Sequence, residues 1–264
     1  MKPARPPESV YGDSFGFGSV TLRDCSEDQA VAALREAVSQ RRPTAVHLCN
    51  AYTLTLSATD PDYARSLDGA VNLVDGVPVA WYYRLLTGTA ARGPVRGPSF
   101  MRRMLDEPGL RHYLYGGTEQ VLDSLEQAIA TDHPDAVVVG RQAPPFRPLE
   151  DADVAELVAD VEATDATVVW VGLGTPKQDI LLAALARSTH VVGVGVGAAF
   201  DFLSGEKKEA HRLLHGTGLE WLHRLATEPR RLWRRYLLGN AAFVRLAARE
   251  LRAQRGSRRR QAGA

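Results

Sequence analysis

Short apolar runs recur along the middle of the chain, each closed by glycine or a polar residue and followed by a stretch of helical periodicity. Thr44–Asn50 (TAVHLCN), Val71–Val74, His112–Tyr115, Ala136–Val139, Thr167–Val171 and His190–Val194 read as strands. Helices are expected over Ala51–Leu67, Val77–Leu86, Glu119–Thr131, Asp151–Ala163 and Lys177–Ala186, with Thr118 and Asp151 as capping residues. The strands are apolar throughout instead of alternating, which is the mark of strands covered on both faces. The fold class predicted is therefore α/β, a Rossmann-like parallel sheet flanked by helices. Arg141–Pro148 (RQAPPFRP) reads as a proline-rich loop.

Past Gly205 the pattern changes. Arg224–Arg260 holds twelve arginines against Glu228 and Glu250, a local balance of +10 in a chain whose formal net charge is +1. A mildly acidic body, residues 1–205, thus joins a basic helical appendage, residues 206–264. In the appendage Leu232, Trp233, Tyr236 and Leu237 fall on one helical face, interleaved with Arg231, Arg234 and Arg235. That pattern fits an amphipathic helix lying on an anionic membrane surface; a solvated basic helix is the plainer alternative. The apolar face speaks against nucleic acid as the partner. The final residues, QRGSRRRQAGA, have the composition of a disordered end.

Other figures narrow the class. At 264 residues, 45% hydrophobic and 24% charged, the chain can bury a large core without disulfides, and its two cysteines, Cys25 and Cys49, form no framework. The first residues, MKPARPPESVYGD, hold no apolar stretch of signal-peptide type. The longest uncharged apolar run, Val191–Phe200, is too short to span a bilayer. A cytoplasmic protein is expected. No paired His or Cys spacing of a metal site occurs, nor a Walker A, GxSxG or kinase motif, so no metal is expected.

In an open parallel sheet, ligands bind beyond the carboxyl ends of the strands. The residues collected there are Asn50, Asp75-Gly76, Gly116-Gly117, Gly140, the segment Gly172–Gln178 and Gly195–Asp201. Glycine turns at helix N-termini let backbone N–H groups approach phosphate, although glycines also simply end strands. The run Gly193–Gly197 only loosely resembles a dinucleotide fingerprint. Asp75, between a strand and a glycine, is the candidate general base, with a helix N-cap as the competing role. Asp201, in AAFDF, is either a ligand-facing or a structural carboxylate. Cys49 reads as a small buried residue.

These landmarks occur together and in order: VWVGLGTPKQD (169–179), GVGAAFDFLSG (195–205), GLEWLHRLATEPRRLWRRYL (218–237), Asp75-Gly76 and the YGGT turn at 115–118. In that combination the chain resembles the WecG/TagA/CpsF family of bacterial glycosyltransferases over roughly residues 11–245. The resemblance implies an inverting transfer without metal or cofactor. A sugar such as N-acetylmannosamine would pass from a UDP-sugar to a polyprenyl-diphosphate-linked sugar, for surface polysaccharide. It implies a protein peripheral on the inner membrane face and often self-associated. By position, Asp75 corresponds to the base, Asn50 to the polar residue after the first core strand, and Gln178 to the glutamine of the PKQ motif. The expected diphosphate contacts are Gly116, Gly117, Gly140, Gly172, Gly174, Lys177 and Asp201, together with Arg224, Arg231 and Arg234 of the appendage.

The chain departs from the family pattern at Leu48, with His47 beside it. Pro94 stands at an arginine position for which Arg92 and Arg96 are the candidate replacements. Glu209-Ala210-His211 replaces RAP. Transfer to a soluble metabolite, a non-catalytic nucleotide-binding scaffold at the membrane and, more distantly, a nicotinamide-dependent oxidoreductase remain as competing functions.

Overall fold

The computed structural model describes residues 11–209, 225 and 239–262, with side chains to residue 254. One eight-stranded sheet runs through it. An antiparallel hairpin, β1 (Asp13–Phe17) and β2 (Val20–Asp24), forms one edge. The six parallel strands are β3 (Thr44–Cys49), β4 (Val71–Val74), β5 (Arg111–Gly116), β6 (Val137–Gln142), β7 (Val168–Gly172) and β8 (Val192–Gly195). Their spatial order is β1-β2-β4-β3-β8-β7-β5-β6. Every residue of β3, β4 and β8 is buried, as continuous apolar strands between two helical layers require.

One layer comprises α1 (Glu27–Ser39), α5 (Gly97–Leu105), α6 (Glu119–Asp132) and α9 (Ala199–Leu203), packed on Val46, Leu48, Leu114, Trp170 and Val194. The opposite layer holds α2 (Ala51–Thr59), α3 (Pro61–Ser66), α4 (Val77–Thr87), α7 (Asp151–Ala163) and α8 (Lys177–Ser188). The chain leaves β3 into the second layer through α2 and leaves the adjacent β8 into the first layer through α9. A crevice therefore opens between β3 and β8 at their carboxyl ends, the switch point of such a sheet.

The last helix, α10 (Gly239–Ala262), packs along α2 and touches α4. Its Phe243 ring stacks on Phe17 of the hairpin at 5.5 Å, Ala247 is buried, and Gln254 Nε2 donates to the Gly16 carbonyl at 3.4 Å. The distal part of the appendage is thus tied to the hairpin edge. The backbone of α10 is helical to Ala262.

Several boundaries differ from the sequence reading. The helix expected over Ala51–Leu67 is two, because Asp60 is extended and caps α3 by accepting from the Asp62 and Tyr63 amides ahead of a first-turn proline. Glu150, not Asp151, is the N-cap of α7, while Thr118 caps α6 as expected by accepting from the Val121 amide. Strand β6 runs on through Gly140 to Gln142, so RQ of the expected RQAPPFRP loop is strand. The hairpin, α1, α5 and α9 have no counterpart in the sequence reading.

Candidate functional site

A cleft of about 200 Å³ lies at the switch point. Its walls come from the ends of β3 (Leu48, Asn50), β4 (Asp75), β7 (Gly172–Thr175) and β8 (Gly195–Gly197), closed by the start of α5, by Gln178 and by α9. Four separate strands thus deliver their end residues to one space, although up to 149 positions, from Leu48 to Gly197, part them in the sequence.

Asp75 reaches the cleft because its amide donates to the Cys49 carbonyl at 3.0 Å, which locks the residue after β4 beside the end of β3. The N-cap of α4 is Gly76, not Asp75, with a positive φ of 79° that glycine tolerates. Asn50 does cap a helix. Its Oδ1 accepts from the Tyr52 and Thr53 amides at 3.0 and 3.3 Å, which fixes the side chain at the cleft wall. Gln178 is 5% exposed, and its Oε1 accepts from the Gly174 amide at 2.9 Å. The glutamine therefore pins the Gly172–Thr175 turn from inside the first turn of α8, with its side chain in the cleft wall.

Gly172 and Gly174 line the cleft. Gly116 and Gly117 close β5 on the next strand and are not part of this wall; Gly116 pairs with Gly172 in the sheet. Gly140 stands inside the edge strand β6. A side chain there would meet the Tyr113 ring at 2.5 Å, so its position answers a packing need. Lys177 is exposed and outside the lining. Asp201 lies in the wall, partly exposed, and its carboxylate accepts from Lys207 Nζ at 2.6 Å. Arg224, Arg231 and Arg234, with the Leu232–Leu237 face, lie outside the described residues.

The structure separates the two candidate arginines. Arg92 turns away, with NH2 2.9 Å from Asp13 Oδ2 and NH1 donating to the Asp24 carbonyl at 2.6 Å. Arg96 enters the cleft wall as the N-cap residue of α5. It can do so because Gly97 lies against the end of β8, where a Cβ would come within 2.9 Å of the Val196 carbonyl. Arg96 NH2 donates to Glu209 Oε1 at 2.9 Å, and Arg102 NH1 to Glu209 Oε2 at 3.1 Å. Burial pushes the Glu209 carboxyl up, but the Arg96 hydrogen bond and the Arg102 charge outweigh it and hold the group below the usual carboxylate range.

Directly behind the cleft is a polar cluster not among the predicted site residues. His47 Nδ1 lies 2.9 Å from Asp179 Oδ1, and the Tyr63 hydroxyl donates to Asp179 Oδ2 at 2.9 Å. All three are at most 2% exposed. Burial, reinforced by the Asp179 charge, pushes the Tyr63 hydroxyl and the neighbouring Cys49 thiol well up, so both stay protonated. Cys49 is a small buried residue, with its Sγ 3.8 Å from Asn72 Oδ1. The signal that was available is His47 itself, a polar residue in the middle of an otherwise apolar buried strand, which demands a partner.

Among the described residues no three His, Cys, Asp or Glu side chains gather as metal ligands, and no helix is long and apolar enough to cross a membrane. In comparison with known families, the model of the glycosyl transferase WecG/TagA/CpsF family matches residues 16–257.

Proposed function

From the premise that the chain belongs to the WecG/TagA/CpsF family of glycosyl transferases, with a role in cell-surface polysaccharide biosynthesis, we propose that it transfers a sugar from a UDP-sugar to a polyprenyl-diphosphate-linked sugar, with inversion and without a metal. The observation that carries this reading is the convergence of Asp75, Asn50, Gln178 and Arg96 on one cleft at the sheet's switch point. N-acetylmannosamine or a related sugar is the proposed donor group. No cofactor takes part, since the sugar nucleotide is itself consumed.

In the proposed reaction the acceptor hydroxyl gives its proton to the Asp75 carboxylate as its oxygen bonds to the anomeric carbon from the side opposite the diphosphate. The bond from that carbon to the diphosphate oxygen breaks, and the electron pair leaves with UDP. One displacement inverts the centre. Asn50, held by its capping bonds, and Gln178, held by Gly174, orient the sugar. The developing diphosphate charge is met by the Gly172–Gly174 turn and by guanidinium groups, whose planar donors suit phosphate without a metal. Arg224, Arg231 and Arg234 are proposed as further diphosphate contacts. The basic appendage is proposed to hold the protein on an anionic inner membrane surface where the lipid-linked acceptor resides, in a form that self-associates.

The test is UDP release in detergent with a panel of UDP-sugars and a polyprenyl-diphosphate-linked N-acetylglucosamine acceptor, with EDTA present. Acceptor-dependent release that Asp75→Asn loses supports the reading. UDP binding without release from any donor would count against it and favour a non-catalytic nucleotide-binding protein.

A further inference from the structure

The charges in the cleft wall are unbalanced in an unexpected direction. Among the described residues lining it, Asp75, Asp201 and Glu209 are acidic and Arg96 alone is basic. A cleft that receives a diphosphate must offer it positive charge, and the lining cation is already engaged. Arg96 and Arg102 each hold one oxygen of the Glu209 carboxylate. Side-chain exposures of 17% for Arg96 and 19% for Glu209 place this contact partly out of water, where it is screened less than a surface pair.

The arrangement is that of an anion site holding an anion. A carboxylate gripped through both oxygens by two guanidinium groups presents the donors that a phosphate group would take, and phosphate offers more charge and more acceptor oxygens than the carboxylate. Arg92 has no such role, since its guanidinium is tied to Asp13 and Asp24 away from the cleft. Asp201 does not compete for Arg96, being paired with Lys207.

We propose that Glu209 is an internal counter-anion that occupies a phosphate-accepting arginine pair, Arg96 in the cleft wall and Arg102 further along α5, and that a diphosphate group of a substrate displaces it. The inference rests on the transferase reading of the same cleft. The shared ligand chemistry is a diphosphate ester, which the nucleotide donor or the lipid-linked acceptor supplies. The carboxylate keeps the arginines ordered and neutralised between turnovers, and it lowers the apparent affinity of every diphosphate by the fraction of time the pair is closed.

Calorimetric titration with UDP and, separately, with geranyl diphosphate at fixed ionic strength tests this on the full chain. Glu209→Gln is expected to tighten at least one ligand by roughly fivefold, about the worth of a partly screened ion pair. The ligand that gains identifies the source of the diphosphate. Glu206→Gln removes an equal charge from a neighbouring exposed position outside the cleft and is expected to change neither affinity by more than about twofold. Adding Arg96→Gln to Glu209→Gln should abolish the gain. If Glu209→Gln proves unstable on heating, Glu209→Ala provides the same readout. Both affinities unchanged or weakened in the Glu209 variants would overturn the inference and make the residue a structural pin for α5. Binding is read here and transfer in the Asp75 series, so tighter binding without transfer from any donor fails the transferase reading alone.

Discussion

The cleft and the polar cluster behind it are built from neighbouring residues of the same elements. Gln178 faces the cleft and Asp179 the cluster; Asn50 lies in the cleft wall, while His47, three positions earlier on the same stretch, meets Asp179. In the cleft the carboxylates are partly exposed, and two of them are held by cations that also have access to solvent. In the cluster the carboxylate is 1% exposed, with one oxygen near His47 and the other accepting from Tyr63. The first arrangement permits partners to exchange, as a site that binds and releases charged molecules must. The second fixes the first turn of α8 against β3 and α3, and through Gln178 it fixes the glycine turn. Rigidity is placed one residue behind the chemistry.

The contrast is broken most severely from the cleft side. Asp75→Asn keeps the size of the side chain and removes the base. Transfer is expected to fall by roughly 10²- to 10⁴-fold, and urea denaturation of the same variant separates that loss from any loss of fold. A transfer rate within tenfold of wild type would place the base elsewhere.

From the cluster side the effects reverse. Asp179→Ala takes the carboxylate away from both His47 Nδ1 and the Tyr63 hydroxyl in the dry interior. Unfolding free energy is expected to drop by about 3 kcal/mol, within the range for breaking a buried polar pair. Transfer should fall only as far as Gln178 loses its footing. A variant as stable as wild type would show that the cluster does not support α8.

The parallel strands and the residues after them were legible because covered strands are apolar without interruption and end in glycine or a polar residue; Asn50, Asp75 and Gly172 are all found that way. The hairpin was not, since Asp13–Phe17 and Val20–Asp24 are five residues each and begin or end in charge. The partnership of His47 with Asp179 spans 132 positions, and that of Tyr63 with Asp179 spans 116. No local pattern encodes either. Arg96 was one of two candidates, and only the close seating of Gly97 on β8 decides between them. Gly140 shows the converse, a glycine that reads as a strand end yet serves ring packing within the strand.

A second buried histidine sharpens the contrast between a carboxylate partner and none. His112 on β5 is fully buried, and its Nδ1 accepts from the Trp170 indole at 3.2 Å. Burial, with a smaller contribution from the His133 charge, lowers its pKa to about 4. The unfolded chain then binds a proton near the ordinary value of 6.5 while the folded protein does not. The contribution of His112 to stability is constant above about pH 6.5 and is lost as pH falls from there toward 4, by up to roughly 3 kcal/mol. Urea denaturation across this window measures the slope, and His112→Gln, which retains an acceptor for the indole, is expected to flatten it. An unchanged slope in that variant would assign the acid sensitivity to other groups.

The smallest expected effect lies on the boundary between the two regions. Gln178→Met preserves the length of the side chain and deletes the acceptor for the Gly174 amide, with no change to Asp179 one position on. Loss of that bond should cost about 1 kcal/mol of stability, the net worth of one partly buried hydrogen bond. It should weaken UDP binding more than folding, since the freed turn lies in the cleft wall and not in the core. Calorimetry and denaturation on the one variant separate the two regions. A loss of stability as large as that of Asp179→Ala, with UDP affinity retained, would mean that Gln178 belongs to the rigid cluster and that the Gly172–Gly174 turn holds its shape without it.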